Sequence, residues 1–395
     1  MPVARSIREA MEGSSWIRKM FEEGARLKGE FGAENVFDFS LGNPNLDPPE
    51  AFRKVLRELV AEDRPGAHGY MPNAGYPEVR EAVAGQVAKD QGVAVSGKHV
   101  LMTVGAGGAL NAVFRAILEP GDEIVVPRPY FVEYGYYADN HRGVLKSVPT
   151  SEEFDLRLEA LEEAFSPRTR VVLLNSPNNP TGKVYSRESL QALSELVSRK
   201  SRESGRVIYL ISDEPYRNIV YDGWEVPGVF PLFPHSVVCT SYSKDLSLPG
   251  ERIGYIAVNP AMPEVDLLLG ALALTNRILG FVNAPALMQR VVARLQGVKV
   301  DVGFYRRNRD RLYEALTEAG YRCLRPEGAF YLFPRSPIPD DVAFVQELQK
   351  ENILAVPGTG FGGPGHFRLA YCCSFETVER SLPGFVRALQ RVAGK

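Results

Sequence analysis

Cysteine is scarce, with four in 395 residues: Cys239, Cys323, Cys372 and Cys373. None stands at metal-ligand spacing, and two are adjacent in a strand-like run. That argues against a metal site and for free thiols in a reducing cytoplasm, so no metal is expected. Net charge is also small, −2 from 46 basic and 48 acidic side chains. Such a balance offers no electrostatic footprint for nucleic acid or an anionic membrane. No uninterrupted apolar run is long enough to span a bilayer. The N-terminus, with Arg5, Arg8, Glu9 and Glu12, lacks the apolar core of a signal peptide. Internal repeats and low-complexity linkers are missing too. What remains is an ordinary globular composition, 45% hydrophobic and 24% charged, long enough for two lobes with large cores.

The chain does have a recurrent order of apolar strand, turn cluster and helix. Helices are expected over Ser6 to Lys28, with a break near Gly13-Ser14-Ser15, over Pro48 to Ala61 and over Pro77 to Gln91. Val36 to Ser40 alternates like a strand. Further strands are read at Val100–Val104, Glu123–Val126, Gly143–Pro149, Thr169–Leu174, Val207–Ser212, Val237–Cys239 and Gly254–Val258, the last turning back beside its predecessor. A short helix over Leu158–Phe165 and a helix over Ser186–Ser201 fall between them. Apolar strands separated by helices predict an α/β fold with a mostly parallel sheet covered on both faces. After Pro263 long helices follow, Glu264–Gly280 and Ala286–Gly320. Strands are then expected at Tyr321–Leu324, Ala329–Pro334, Ile353–Val356 and His366–Cys372, with helices at Val342–Glu351 and Phe375–Val392. This part reads as a smaller α+β lobe.

Ligands of such sheets sit outside the carboxyl ends of the strands. Gly105, Phe131, Asn179, Asp213 and Lys244 all lie at or just past such ends. Gly105-Ala106-Gly107-Gly108, between a strand and a helix, is the arrangement in which free backbone N–H groups receive a phosphate. A dinucleotide site is disfavoured, because no acidic residue ends a second strand about 20 residues on. The stretch Ser241-Tyr242-Ser243-Lys244, with Arg252 eight positions on, offers an amine for condensation with an aldehyde and side chains for a phosphate beside it. Alone it is equally an exposed lysine and arginine in a loop.

In order, Asn179-Pro180-Thr181-Gly182, Asp213-x-x-Tyr216, Ser241-x-Ser243-Lys244 and Arg252 closely resemble the pyridoxal-phosphate aminotransferases of fold type I, class I/II, which include aspartate aminotransferase. The resemblance runs from Gly42 to Arg368. It implies a large cofactor-binding domain over 46–285, with a mostly parallel seven-stranded sheet covered by helices on both faces. A smaller α+β domain would combine 1–45 and 286–395. It implies pyridoxal 5′-phosphate bound covalently to Lys244, whose freed amine then moves the substrate proton. Asp213 would pair with the ring nitrogen, Asn179 and Tyr216 would bond the phenolic oxygen, and Phe131 would stack on the ring, with Tyr130 as neighbouring alternative. The phosphate would rest on the backbone of Gly105, Ala106 and Gly107 and on Ser241, Ser243 and Arg252. The loop departs from many relatives in carrying no hydroxyl or glutamine, which puts more weight on Arg252. Tyr70 matches a residue that reaches the phosphate of a neighbouring subunit, which implies a homodimer with shared sites. Arg128-Pro129 and Asn179-Pro180 match positions of cis peptides.

Arg368 matches the arginine that grips the substrate carboxylate, with Gly42 offering a backbone N–H to the same group. For a dicarboxylate donor a second cation is needed; Arg277, donated by the other subunit, is the first candidate, with Arg18 and Arg128 behind it. Without one, Tyr134, Tyr331 and Phe361 would line an apolar pocket for an aromatic, alanine or branched-chain donor. The expected activity is transamination to 2-oxoglutarate, aspartate being the favoured donor. A C–S lyase or decarboxylase on the same scaffold and a cofactor-bound regulator are the alternatives, though the chain has no spare DNA-binding segment.

Overall fold

The computed structural model describes residues 2–12, 16–62 and 65–394, apart from the side chains at 6, 9, 12, 17–19 and 21. The break expected at Gly13-Ser14-Ser15 and the side chain of Arg18 lie outside the described residues. A seven-stranded sheet dominates. Its order is Val100–Thr103, Gly254–Val258, Ser236–Ser241, Tyr209–Asp213, Thr169–Asn175, Glu123–Arg128, Val144–Pro149. Gly254–Val258 runs antiparallel to both neighbours, and the other pairings are parallel.

The alternation within each strand explains the two-sided covering. Met102, Val172 and Leu174 belong to one buried cluster, and Leu101, Val171 and Leu173 to another on the opposite face. Helices Glu50–Ala61, Pro77–Gln91 and Ala286–Ala293 lie together on one side; Gly105–Ile117 packs on Val265–Ile278 on the other. A further core joins helices Val302–Ala319, Asp341–Gln349 and Phe375–Ala393 to two small sheets. One pairs Phe37–Asp38 with Ile353–Leu354; the other is ordered Val356–Pro357, Phe367–Ala370, Tyr331–Leu332.

Several expected elements differ. The helix read over Ala286–Gly320 is two, Ala286–Ala293 and Val302–Ala319. Gly297 takes a positive φ of 80° between them. Asp301 then caps the second helix by accepting a bond from the Gly303 N–H. Tyr321–Leu324 is no strand: Tyr321 buries its ring and donates its hydroxyl to the Phe385 carbonyl, while Leu324 is exposed. The strand at Ala329–Pro334 shortens to Tyr331–Leu332 because Ala329 sits at φ 57°. Ile353–Val356 is divided, since the chain changes sheets at Ala355. Glu133–Asp139 forms a further helix, outside the expected elements.

Candidate active site

The carboxyl ends of the central strands gather the predicted residues. Strand Ser236–Ser241 delivers Lys244 into a half-buried position, and its Nζ donates to the Gly42 carbonyl at 2.6 Å. Burial drives the Lys244 amine down to about 8, helped by the Arg368 and Arg252 charges and opposed by Cys372. The rings of Phe330 and Tyr216 lie 5.5 and 5.9 Å from Nζ.

Asp213 ends the neighbouring strand. Its Oδ2 accepts from the Tyr134 hydroxyl at 2.5 Å, while Oδ1 is buried with no described partner. Burial pushes the carboxyl up to about 7; the Tyr134 bond pulls it down and Glu214 raises it. Asn175, the last residue of the next strand, fixes the same corner. Its Nδ2 donates to the Asp213 carbonyl at 2.9 Å, and its Oδ1 accepts from the Asn179 N–H at 2.7 Å.

Arg368 is 1% exposed. Nη1 donates to Asn179 Oδ1 at 3.0 Å and Nη2 to the Ser40 carbonyl at 2.6 Å. Its guanidinium carbon lies 4.6 Å from the Phe361 ring centre and 4.7 Å from that of Tyr331. Among the described residues it has no ion pair, and Nε has no hydrogen-bond partner. Burial lowers its pKa. A buried guanidinium sandwiched between aromatic faces and lacking a carboxylate among the described residues has the chemistry to accept one. Tyr216 and Tyr331 share a hydroxyl–hydroxyl bond of 2.7 Å, so both rings are fixed beside it. A Cβ on Gly42 would run into that Tyr331 hydroxyl, which is why only glycine fits there.

The phosphate-loop glycines are the first turn of helix Gly105–Ile117 rather than a loop before it, so their N–H groups point out of a helix start. The Arg252 guanidinium lies over Gly105: a Cβ there would be 3.0 Å from Nη2. Arg252 is exposed and also donates to the Pro249 carbonyl at 2.9 Å. Ala106 and Gly107 are half-buried, and Ser241 and Ser243 are buried, the Ser243 N–H donating to Ser241 Oγ at 3.5 Å. Phe131 meets Tyr134 edge-on at 5.5 Å, whereas Tyr130 bonds the Phe361 carbonyl and touches Gly362. The Arg128-Pro129 and Asn179-Pro180 peptides are cis, and so is Ser176-Pro177.

Not every expected residue joins this group within one chain. Tyr70 is 94% exposed, and neither it nor Arg277, exposed in the last turn of its helix, makes a described hydrogen bond to the site. Arg128 lines a different cavity. Of the three residues expected to line an apolar side-chain pocket, Tyr134, Tyr331 and Phe361, none is free of another contact. Tyr134 is wholly buried on Asp213, and the other two hold Arg368. Sequence reasoning missed Tyr137, whose hydroxyl would lie 3.0 Å from a Cβ on Gly107. Burial raises it to about 12, with Glu133 and Asp213 adding to the rise and Arg252 opposing it. The signal was present: Phe131, Tyr134 and Tyr137 recur every three residues, a helical stripe beginning at a predicted ring-stacking position.

These groups fit pyridoxal phosphate. The free Asp213 oxygen suits a cationic ring N–H, the poised Lys244 amine suits an aldehyde, and the Gly105 helix start beside Arg252 suits a phosphate. Residues 34–383 match the family described as aminotransferase class I and II. The aspartate/prephenate aminotransferase of Thermus thermophilus is 36% identical over 358 residues, covering 89% of this chain and 90% of that protein. An amino transferase from Eubacterium rectale superposes with a TM-score of 0.96 at 40% identity, over 99% of both chains. The aspartate aminotransferase of Thermus thermophilus with maleate gives 0.88 at 31% identity, over 98% of this chain and 100% of that one. The chain thus belongs to the class I and II aminotransferases, pyridoxal-phosphate enzymes that pass an amino group between an amino acid and an oxo acid.

Proposed function

We propose that the protein transfers the amino group of L-aspartate to 2-oxoglutarate as a cytoplasmic homodimer with shared sites. The observation that supports substrate binding is Arg368, a buried cation without an ion pair among the described residues, its two terminal nitrogens anchored and its Nε open. It holds the α-carboxylate, and Gly42 supplies a backbone N–H to the same group. The cofactor, when bound, supplies the electron sink that loosens the substrate Cα–H bond. Lys244 attaches it and then carries the proton released from Cα, which requires a neutral amine near pH 7 to 8. Asp213 keeps the ring nitrogen protonated, Tyr134 orients Asp213, and Asn179 and Tyr216 stand at the phenolic oxygen. Phe131 covers the ring, and Gly105, Ala106, Gly107, Ser241, Ser243 and Arg252 hold the phosphate.

In this reading the lobe of 46–285 and the lobe of 1–45 with 286–395 close on the substrate. Tyr70 and Arg277 act in the site of the second copy, Tyr70 on the phosphate and Arg277 on the donor's side-chain carboxylate. Their exposure in one chain fits that role. The cytoplasmic placement is supported by four unbridged cysteines. Relatives called aspartate aminotransferase support the donor.

The test is a panel of amino donors with 2-oxoglutarate. Aspartate should give the highest kcat/KM; Lys244→Ala should remove turnover with every donor. Arg277→Ala should raise KM for aspartate by about tenfold or more while leaving alanine nearly unchanged. Full turnover in Lys244→Ala would refute the mechanism, and equal effects on the two donors would refute the role of Arg277.

A further inference from the structure

A cavity of about 730 Å³ lies away from the residues just described, and neither Lys244, Asp213 nor Arg368 lines it. Its size falls in the range of small-molecule pockets. One wall comes from the end of strand Glu123–Arg128 and from the segment Pro149–Phe154; the other comes from Thr317–Leu324, Phe333, Arg335 and the loop Gly362–His366.

Three arginines face it, Arg128, Arg322 and Arg335, against one acid, Glu152. None of the three has a described side-chain hydrogen bond or ion pair. Nearby cations do: Arg325 bonds Asp310 at 2.8 Å, and Arg311 bonds Glu379 at 2.5 Å. In a chain of net charge −2 this is a local excess of positive charge. His366 adds none near neutral pH, because burial lowers its pKa.

The floor of the cavity is aromatic. The Phe333 and His366 rings are stacked, 5.1 Å apart and 6° from parallel. Phe154 meets both edge-on, at 5.8 and 5.7 Å. Phe154 does so from a positive φ of 62°, a backbone region that bulky side chains rarely adopt. Strain of this kind persists where the surroundings fix it, and here it presents an aromatic edge to the cavity.

We propose that this cavity binds a small aryl carboxylate, its ring against the aromatic floor and its carboxylate on the arginine cluster. A ligand so placed would clamp two segments that lead to the active site. Arg128-Pro129 is followed by Phe131, and Gly362-Gly363 is preceded by Phe361, the ring under Arg368. Those segments are already linked by the Tyr130 N–H donating to the Phe361 carbonyl at 3.0 Å. Coupling to turnover rests on the reading given under Proposed function; binding does not.

Trp16 provides a readout independent of activity, because it packs on Gly360, two residues from the cavity wall: a Cβ there would be 3.2 Å from the indole. Phenylacetate, which has no amino or oxo group to transfer, is titrated into the holoenzyme carrying Trp224→Phe, with the active site saturated by a dicarboxylate. Saturable quenching or enhancement of Trp16 is expected, confirmed by calorimetry as one equivalent per chain. Arg322→Glu/Arg335→Glu should weaken binding by about tenfold or more. If that pair lowers the melting temperature, Arg322→Gln/Arg335→Gln replaces it, with a loss in the same direction. Binding unchanged by both double variants, or abolished by the dicarboxylate, overturns the proposal. Inorganic phosphate binding as tightly as phenylacetate would overturn the aryl assignment. An inactive enzyme that still binds phenylacetate would defeat the functional reading and leave this site standing.

Discussion

Lys244 and Asp213 are displaced from their ordinary ionisation in opposite directions by one cause, burial. Only a neutral amine condenses with an aldehyde. The cofactor-free protein should therefore capture pyridoxal phosphate faster as pH rises through about 8, levelling off roughly one unit above it. Absorbance would follow the capture, and a rate still climbing past about pH 10 would belong to an unshifted lysine. Stability follows the same logic. Between about 8 and 10.5 the unfolded lysine holds a proton that the folded one has lost, so the fold gains stability as pH rises through that window. For Asp213 the folded value of about 7 lies above 3.8, so its contribution is complete below 3.8 and is lost as pH rises through about 7. Tyr134→Phe removes the one side-chain donor described for that carboxyl. It should weaken cofactor binding by about tenfold, read as an equilibrium dissociation constant; an unchanged constant would strip Tyr134 of its supporting role. Asp213 and Lys244 were legible because their motifs are contiguous in sequence. Tyr134's bond was not, because 79 positions separate it from Asp213.

Gly254 shows how elements, rather than residues, set the ground around Gly105 and Arg252. It lies where strand Gly254–Val258 passes the start of helix Gly105–Ile117. A Cβ there would collide with the Thr240 carbonyl and reach 2.9 Å from the Gly105 backbone. Gly254→Ala should cost about 2–3 kcal/mol in urea unfolding and weaken cofactor binding with it. Gly250→Ala, where nothing lies within 4 Å, is the control and should leave both unchanged. Equal behaviour of the two variants would show that this close approach is dispensable. The inner strands of the main sheet could be read because they are buried on both faces and therefore largely apolar, unlike the edge strand Val144–Pro149. The smaller lobe could not be read as well. Its strands are only two to four residues long, and one stretch serves two sheets in succession.

A single chain leaves Tyr70 almost wholly in solvent while gathering most of the other residues expected at the cofactor. Were two copies to share sites, Tyr70→Ala and Lys244→Ala would damage the same site from different chains. Refolding an equal mixture of the two should then restore about a quarter of parental turnover, since half the dimers are hybrids with one intact site each. No recovery, with hybrids demonstrated by mass, would place Tyr70 outside the neighbour's site.

Read alone, the residues specify the fold class, the order of the main-sheet strands and their helices, and the motifs that carry Lys244, Asp213 and Arg368. Local motifs and the period of apolar residues carry that information within a few neighbouring positions. What surrounds them came with the packed fold: the tyrosine on Asp213, the two rings enclosing Arg368, the glycine carbonyl on Lys244 and the arginine-lined cavity between segments nearly 200 residues apart. The physical reason is that burial and hydrogen bonding set each group's charge, and both depend on which distant segments the packed chain brings together.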